Sequence, residues 1–201
     1  MIDVMINIWG KVIHYLFKYP YYKLRFGGIG MGTRLIQPII SGHSRIFLGS
    51  RVFIRKHTWL AAEPVTGDQQ CRLSIGDGTY VGNFCHFYAS SCIEIGKKVL
   101  FADKVYLSDN LHSFENISIP VLDQPVRQVK PVRIGDGAWL GEHVCVIGAS
   151  IGKNSVIGAN SVVTKDIPDY CVAVGAPARI IKRYNFEKGV WQKTDPEGQF
   201  I

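Results

Sequence analysis

A six-residue repeat is the feature that most constrains how this chain can fold. An apolar residue followed by a small or polar one recurs every six residues, as in Leu48-Gly49, Ile54-Arg55 and Leu60-Ala61. The pair returns in phase along most of the chain, beginning at Ile75, Val81, Phe87, Ile95, Phe101, Leu107, Ile134, Leu140, Ile151, Ile157 and Val163. This period predicts short flat strands joined by tight corners, with three hexads in each turn of a triangular solenoid.

The repeat resembles that of the hexapeptide-repeat acyltransferases, and the resemblance covers about residues 30–183. It implies a left-handed parallel β-helix, and the left hand comes from the resemblance alone because ordinary parallel crossovers are right-handed. We therefore predict an all-β solenoid with a short N-terminal helix and an irregular C-terminal tail. The predicted segments are a helical and aromatic cap at 1–29, the acyltransferase domain at 30–183 and the tail at 184–201.

Two polar stretches that contain proline interrupt the repeat. Residues 63–70, with Pro64, are predicted to form a loop that leaves one corner of the solenoid. Residues 113–131 contain three prolines and form a longer excursion. A loop of that length inside a compact domain is usually functional.

The segment Met1–Phe17 has apolar residues at helical spacing, namely Ile2, Met5, Ile8, Trp9, Val12, Ile13 and Leu16. Asp3, Asn7 and Lys11 interrupt the apolar run. The segment is therefore too broken for a signal sequence or for a membrane span, which needs about 18 apolar residues. Two interpretations stay open: a cap helix over the end of the core, or an interfacial membrane helix supported by nearby aromatic and basic residues.

The charge and the cysteine content limit the partners and the compartment. The 23 Lys and Arg exceed the 16 Asp and Glu and give a net charge of +7, which suits a polyanionic partner. Nucleic acid is the least favoured such partner, because no aromatic residues alternate with the basic ones. Five cysteines without a CxxC pair argue against a disulfide framework and a zinc site, and favour a cytoplasmic location.

The resemblance implies transfer of an acetyl group to a hydroxyl, which requires a general base. Histidine suits this role because its ordinary pKa of about 6.5 lies near working pH. His112 lies where the coil that begins at Leu107 opens into the long loop. This is the place of the catalytic histidine in the sugar and polysaccharide O-acetyltransferases that the chain resembles. Many of them have another histidine where this chain has Asn110, and Asp109 is the candidate to orient the imidazole.

Two residues of the following coil are further candidates. The resemblance implies that Trp139 lies beside the donor or acceptor channel, and packing between protomers is the alternative. His143 is a candidate for the same cleft between subunits. The alternative for His143 is a structural histidine at a corner, which we slightly favour.

The resemblance also assigns residues to coenzyme A, through the stretches Thr164–Pro168 and Gly175–Pro177. Those assigned to the pantetheine channel and the phosphates are Glu142, Ala159, Thr164, Lys165, Arg179 and Lys182. Basic side chains suit an anionic cofactor on physical grounds as well. A solvated basic face is the alternative for the three cations.

A homotrimer is implied too, with donor and acceptor meeting in a cleft between neighbouring prisms. The predicted function is transfer of an acetyl group from acetyl-CoA to a sugar hydroxyl, in a cell-surface polysaccharide or its precursor, with no metal. Contact with the inner face of the membrane is an additional option. The alternatives are another small acceptor such as an antibiotic or amino acid, a γ-type carbonic anhydrase, or a non-catalytic solenoid. The carbonic anhydrase is disfavoured because no two histidines lie close together in the sequence.

Overall fold

The computed structural model describes residues 18–201. The helix predicted at Met1–Phe17 lies outside the described residues, and so does most of the cap segment predicted at 1–29. The described part begins with the short helix α1 (Tyr19–Arg25) and then winds into stacked coils of short strands.

The strands follow one another coil by coil. The first three coils comprise β1 (Gly28–Ile29), β2 (Arg34–Leu35), β3 (Ile39–Ser41), β4 (Ile46–Leu48), β5 (Phe53–Ile54), β6 (Trp59–Ala62), β7 (Arg72–Ile75), β8 (Tyr80–Val81) and β9 (His86–Ala89). The fourth comprises β10 (Cys92–Ile95), β11 (Leu100–Phe101) and β12 (Tyr106–Ser108), and is followed by the hairpin β13 (Asn110–His112) and β14 (Val126–Gln128). The remaining strands are β15 (Val132–Ile134), β16 (Trp139–Leu140), β17 (Cys145–Ile147), β18 (Val156–Ile157), β19 (Val162–Val163), β20 (Cys171–Val174), β21 (Arg179–Asn185) and β22 (Val190–Lys193). Within residues 18–201, short 3-10 turns occupy His43–Arg45 and Val121–Asp123.

Equivalent strands of successive coils pair in parallel and form three faces. Face one contains β1, β4, β7, β10 and β15; face two contains β2, β5, β8, β11, β16, β18 and β20; face three contains β3, β6, β9, β12, β17 and β19. The chain is thus a left-handed parallel β-helix, as the repeat and the resemblance predicted.

The repeated apolar residue of each hexad points into the prism. All the hexad residues from Leu48 to Val163 named above are buried, and many of them are fully inaccessible. The rings of Phe87 and Phe101, from successive coils, lie 4.9 Å apart. Burying a large apolar side chain contributes about 1.5–3 kcal/mol. Because each coil covers its neighbours, the stacked hexads form one continuous core.

Buried hydroxyl groups tie the coils together at their corners. Thr58 Oγ1 donates to the carbonyl of Gly82 at 2.8 Å and accepts from the N–H of Cys85 at 3.2 Å. Thr79 and Ser155 form the same pair of hydrogen bonds with the coils that follow them. The small polar residues of the hexads are therefore buried with their hydrogen bonds satisfied.

The excursion predicted at 113–131 carries structure of its own, because β13 and β14 pair antiparallel at its base. Farther out, the side-chain amide of Gln124 donates to two loop carbonyls at 2.9 and 2.8 Å. The coils on either side stay in register, since Ile93 pairs with Leu73 of the coil before it and with Val132 of the coil after the excursion. The chain leaves and rejoins the prism without shifting its strands.

The tail predicted as irregular at 184–201 is a regular hairpin over much of its length, and that prediction is wrong. β21 pairs antiparallel with β20, and β22 pairs antiparallel with β21, so that face two continues beyond the solenoid. The cause is the free edge of β20, whose unpaired N–H and C=O groups offer hydrogen bonds to a further strand.

The N-terminal end of the prism is closed by α1 and the residues beside it. Phe26 is buried, and its ring centroid lies 5.5 Å from that of Tyr22 and 5.4 Å from that of His43. Burial, and secondarily the charge of Arg25, lowers the pKa of His43. No helix within residues 18–201 is long and apolar enough to cross a bilayer.

Candidate active site

His112 is held at the edge of face three by the hairpin that leaves β12. It pairs with Val126 across the hairpin, and its side chain is exposed. At the base, the carbonyl of Asp109 accepts from Gln128 Nε2 at 2.6 Å and from the N–H of Val129 at 2.9 Å. Within residues 18–201 no hydrogen bond or ion pair engages the imidazole of His112. The hairpin therefore holds the backbone of His112 in place, and its imidazole is free to contact a ligand.

The side chain of His112 borders a cavity of about 320 Å³ between the hairpin and face three. The cavity is lined by Trp59, His86, Tyr88, Tyr106, Asn110, Leu111, His112 and Val126. The structure thus places His112 and Asn110 at one cavity, and adds four aromatic residues that the sequence analysis did not select.

The aromatic wall is a column that climbs face three. Trp59, His86 and Tyr106 occupy equivalent positions on β6, β9 and β12. The rings of Trp59 and His86 are stacked with centroids 4.3 Å apart and planes 3° from parallel. The hydroxyl of Tyr88 donates to Glu63 Oε2 at 3.0 Å, and burial together with this bond raises the pKa of Tyr88 to about 12.

His86 is the unusual member of this column. Its Nε2 is buried and has no hydrogen-bond partner within the described residues. Burial lowers its pKa, so the imidazole is neutral at physiological pH. A signal for it exists in the sequence: Trp59, His86 and Tyr106 each stand directly before an inward hexad residue, so their side chains face outward.

Asp109 does not orient His112, contrary to the expectation. It is completely buried, and its carboxylate accepts from the backbone N–H groups of Ser90, Ser91 and Cys92 at 2.7, 2.8 and 2.6 Å. These donors belong to the corner that joins β9 to β10. Asp109 therefore turns into the prism, whereas His112 lies on the outward hairpin.

Trp139 and His143 do not line this cavity. Trp139 is on face two and 49% exposed. His143 is exposed at the corner between faces two and three, with a positive φ of 58°, and its N–H donates to the carbonyl of Asp103 at 3.2 Å. Neither of the two side chains contacts His112.

The corner that carries His143 continues from coil to coil. Glu142 forms an ion pair with Lys104 at 3.8 Å, between two half-exposed side chains. The carbonyl of Glu142 accepts from the N–H of Asn160 at 2.9 Å, and a Cβ on Gly141 would come within 2.7 Å of the nitrogen of Ala159. Glu142 and the exposed Ala159 thus lie one above the other along a single edge of the prism.

The predicted phosphate-binding residues only partly converge. Lys165 and Arg179 border one cavity of about 270 Å³, which Asp166 and Glu197 also line. Thr164 is exposed beside Lys165. Lys182 lies apart from this cavity on β21, where it pairs with Lys193 of β22. Within residues 18–201, no three His, Cys, Asp or Glu side chains converge as metal ligands.

Comparisons with known proteins agree with this architecture. A family model described as the hexapeptide repeat of succinyl-transferase matches residues 131–165. The probable acetyltransferase Rv3034c of Mycobacterium tuberculosis is 36% identical over 177 residues, which are 81% of this chain and 58% of that protein. The putative lipopolysaccharide biosynthesis O-acetyl transferase WbbJ of Escherichia coli is 40% identical over 124 residues, 58% of this chain and 63% of that protein.

Among solved structures, AntD, an N-acyltransferase from Bacillus cereus in complex with dTDP and 3-hydroxybutyryl-CoA, shares the fold. Its TM-score is 0.71 at 19% identity, over 85% of this chain and 90% of that chain. The chain spans about three fifths of the length of the two curated relatives. The in-phase hexads, the coils they form and these similarities lead to one conclusion: the chain belongs to the hexapeptide-repeat acyltransferase family.

Proposed function

We propose that the protein transfers an acetyl group from acetyl-CoA to a hydroxyl of a sugar, in a cell-surface polysaccharide or its precursor. The observation that carries this proposal is the open cavity in which the exposed His112 stands opposite an aromatic wall. The similarity to a putative lipopolysaccharide biosynthesis O-acetyl transferase supports the choice of acceptor. Five free cysteines support a cytoplasmic location as part of the same proposal.

The lining of the cavity suits a sugar ring. Aromatic faces and edges pack against the C–H groups of a pyranose, and Trp59 and Tyr106 offer such surfaces. His86, whose ring is stacked on that of Trp59, adds a further ring to this lining.

His112 is the general base of the proposed reaction. Its imidazole takes the proton of the acceptor hydroxyl as the oxygen attacks the thioester carbonyl, and the C–S bond then breaks. The same imidazole returns the proton to the departing sulfur, so that the enzyme ends unchanged. Acetyl-CoA supplies the activated acetyl group when it is bound.

The donor set on the last coil suits the phosphates of this co-substrate. Lys165 and Arg179 are exposed cations on one cavity, and neither forms an ion pair within the described residues. Glu142 and Ala159 lie along the edge that leads from the middle coils toward that end, and Thr164 adds a hydroxyl. Lys182 is the least supported member of the set, because it faces Lys193 rather than this cavity.

We propose a homotrimer because one protomer does not assemble the whole site. His112 lies on the hairpin of face three, whereas Trp139 and His143 flank the edge that the cofactor would follow. Packing this edge against the hairpin of a neighbouring protomer brings the two halves together and gives three equivalent sites.

The test is release of free thiol from acetyl-CoA in the presence of sugars, nucleotide sugars, amino sugars and isolated polysaccharides. His112→Ala should lower kcat about 10²–10⁴-fold and leave the affinity for acetyl-CoA nearly unchanged. His143→Ala is the matched control, an exposed histidine of the neighbouring coil, and should cost less. A His112→Ala protein that turns over near the wild-type rate would refute the assignment.

The chemical stability of the product shows whether an ester or an amide bond has been formed. Once residual acetyl-CoA has been removed, an O-acetyl ester is cleaved by hydroxylamine at alkaline pH, whereas an N-acetyl amide is not. Exclusive acetylation of amino sugars, with a hydroxylamine-resistant product, would overturn the O-acetyl proposal in favour of N-acyl transfer.

A further inference from the structure

The excess of positive over negative charge in this protein arises in its N-terminal third. Residues 4–62 contain nine Lys and Arg and no Asp or Glu, whereas residues 63–201 contain 14 basic and 15 acidic residues. The net charge of +7 therefore comes from the first segment, although basic residues occur throughout the chain. Such an asymmetry gives one end of the molecule a strong positive field.

The fold places the described part of this segment, which begins at residue 18, at one end of the prism. Residues 18–62 form α1 and the first two coils, and the basic residues among them are Lys18, Lys23, Arg25, Arg34, Arg45, Arg51, Arg55 and Lys56. None of them takes part in the three ion pairs found within residues 18–201. The guanidinium of Arg55 donates hydrogen bonds to Tyr80 and Asn83, which hold it in place without neutralising its charge.

The same end exposes large apolar side chains between these cations. Tyr22 of α1 packs inward, whereas Tyr21 is 50% and Leu24 87% exposed. Met31, in the first coil, is 78% exposed. The guanidinium of Arg25 lies 5.6 Å from the ring centroid of Tyr21, so basic and aromatic groups share one surface.

We propose that this N-terminal end, formed by Lys18, Tyr21, Lys23, Leu24, Arg25 and Met31, docks on the surface of an anionic lipid bilayer. Unopposed cations attract anionic headgroups, and exposed aliphatic and aromatic side chains enter the boundary between headgroups and acyl chains. The surface is an end face and not a groove, which suits a planar partner. A trimer whose threefold axis runs parallel to the long axis of each prism would present three such ends to one membrane. Three linked contacts would bind the bilayer more strongly than one.

Flotation of the full-length protein with lipid vesicles tests the proposal. We expect binding to vesicles of phosphatidylcholine with about one third phosphatidylglycerol, little binding to phosphatidylcholine alone, and a steep loss of binding at high salt. Two cations removed from an anionic surface weaken binding by about 20-fold or more, so Lys18→Glu with Lys23→Glu should abolish it. Leu24→Ala should weaken binding at every salt concentration.

The matched control is Lys188→Glu with Lys193→Glu, two exposed lysines at the opposite end of the prism. It makes the same change in net charge and should leave binding unchanged, and thermal unfolding should show that all variants remain folded. An equal loss of vesicle binding in both double variants would mean that binding depends on total charge and not on the N-terminal end, and would overturn the proposal. Absence of binding by the wild-type protein would also overturn it, and would favour coverage of this surface by residues 1–17.

Discussion

Replacing Asp109 by alanine separates a structural role from a catalytic one. In the wild-type protein its buried carboxylate accepts three backbone N–H groups, the hydroxyl of Ser90 and the side-chain N–H of Asn110. A hydrogen bond to a charged group contributes about 1.5–3 kcal/mol, but the bonds at one corner are not additive and water can partly replace them. We therefore expect Asp109→Ala to lower the free energy of unfolding by about 3–5 kcal/mol.

Asp109→Asn retains one acceptor oxygen and should lose about half as much. The matched control is Asp136→Ala, because Asp136 is exposed and accepts a single backbone N–H, from Lys97 at 2.7 Å. Its loss should cost less than about 1 kcal/mol. Urea denaturation followed by circular dichroism, at one fixed protein concentration so that assembly contributes equally, measures all three variants.

Catalysis by the folded Asp109→Asn protein should stay within several-fold of wild type, measured well below its unfolding transition. The opposite pattern would refute the structural reading. If unfolding were unchanged while kcat fell 100-fold or more, Asp109 would act on His112 in spite of its place in the corner.

Three further outcomes are expected. Arg179→Ala should raise the KM for acetyl-CoA with a smaller change in kcat, because a phosphate contact stabilises the ground state and the transition state alike. Steady-state kinetics measure both constants. An unchanged KM would mean that Arg179 faces solvent and does not bind the cofactor. Burial lowers the pKa of His86, so the unfolded chain binds a proton more readily and the free energy of unfolding should fall as the pH drops below about 6.5. Denaturation at pH 7.5 and 5.5 measures this loss, and the free energy of unfolding of His86→Gln should fall less between the two pH values than that of the wild type. An identical fall in both proteins would show that His86 is not its cause. Light scattering at micromolar concentration should give the mass of a trimer, and a monomer would remove the shared-site argument.

The solenoid could be predicted from the sequence because its core follows one period. One inward residue recurs in each hexad, as Ile54 and Phe101 do, and this in-phase recurrence predicts both the strands and the corners. The hairpin β21–β22 escaped prediction because it lies outside that period. It is stabilised by the edge of β20, which exists only once the coils have stacked.

The candidate site was harder to predict, since it depends on where side chains point. His112 and Asp109 are three residues apart, yet the chain turns outward between them and leaves the carboxylate in the corner. The wall of Trp59, His86 and Tyr106 joins residues about 50 positions apart, which approach only because β6, β9 and β12 stack. Periodicity indicates that each faces outward, but not that the excursion covers them.

The excursion between β13 and β14 has a consequence for how such a protein diversifies. It starts and ends at the same corner, and β10 pairs in parallel with β15 although the excursion separates the two strands in the sequence. Its length and sequence can therefore change without disturbing the prism, apart from the few residues that fix its base. The hairpin at its base carries one wall of the cavity and His112 itself, so a new acceptor can be accommodated by rebuilding this loop while the proposed cofactor edge on another corner of the prism keeps its structure.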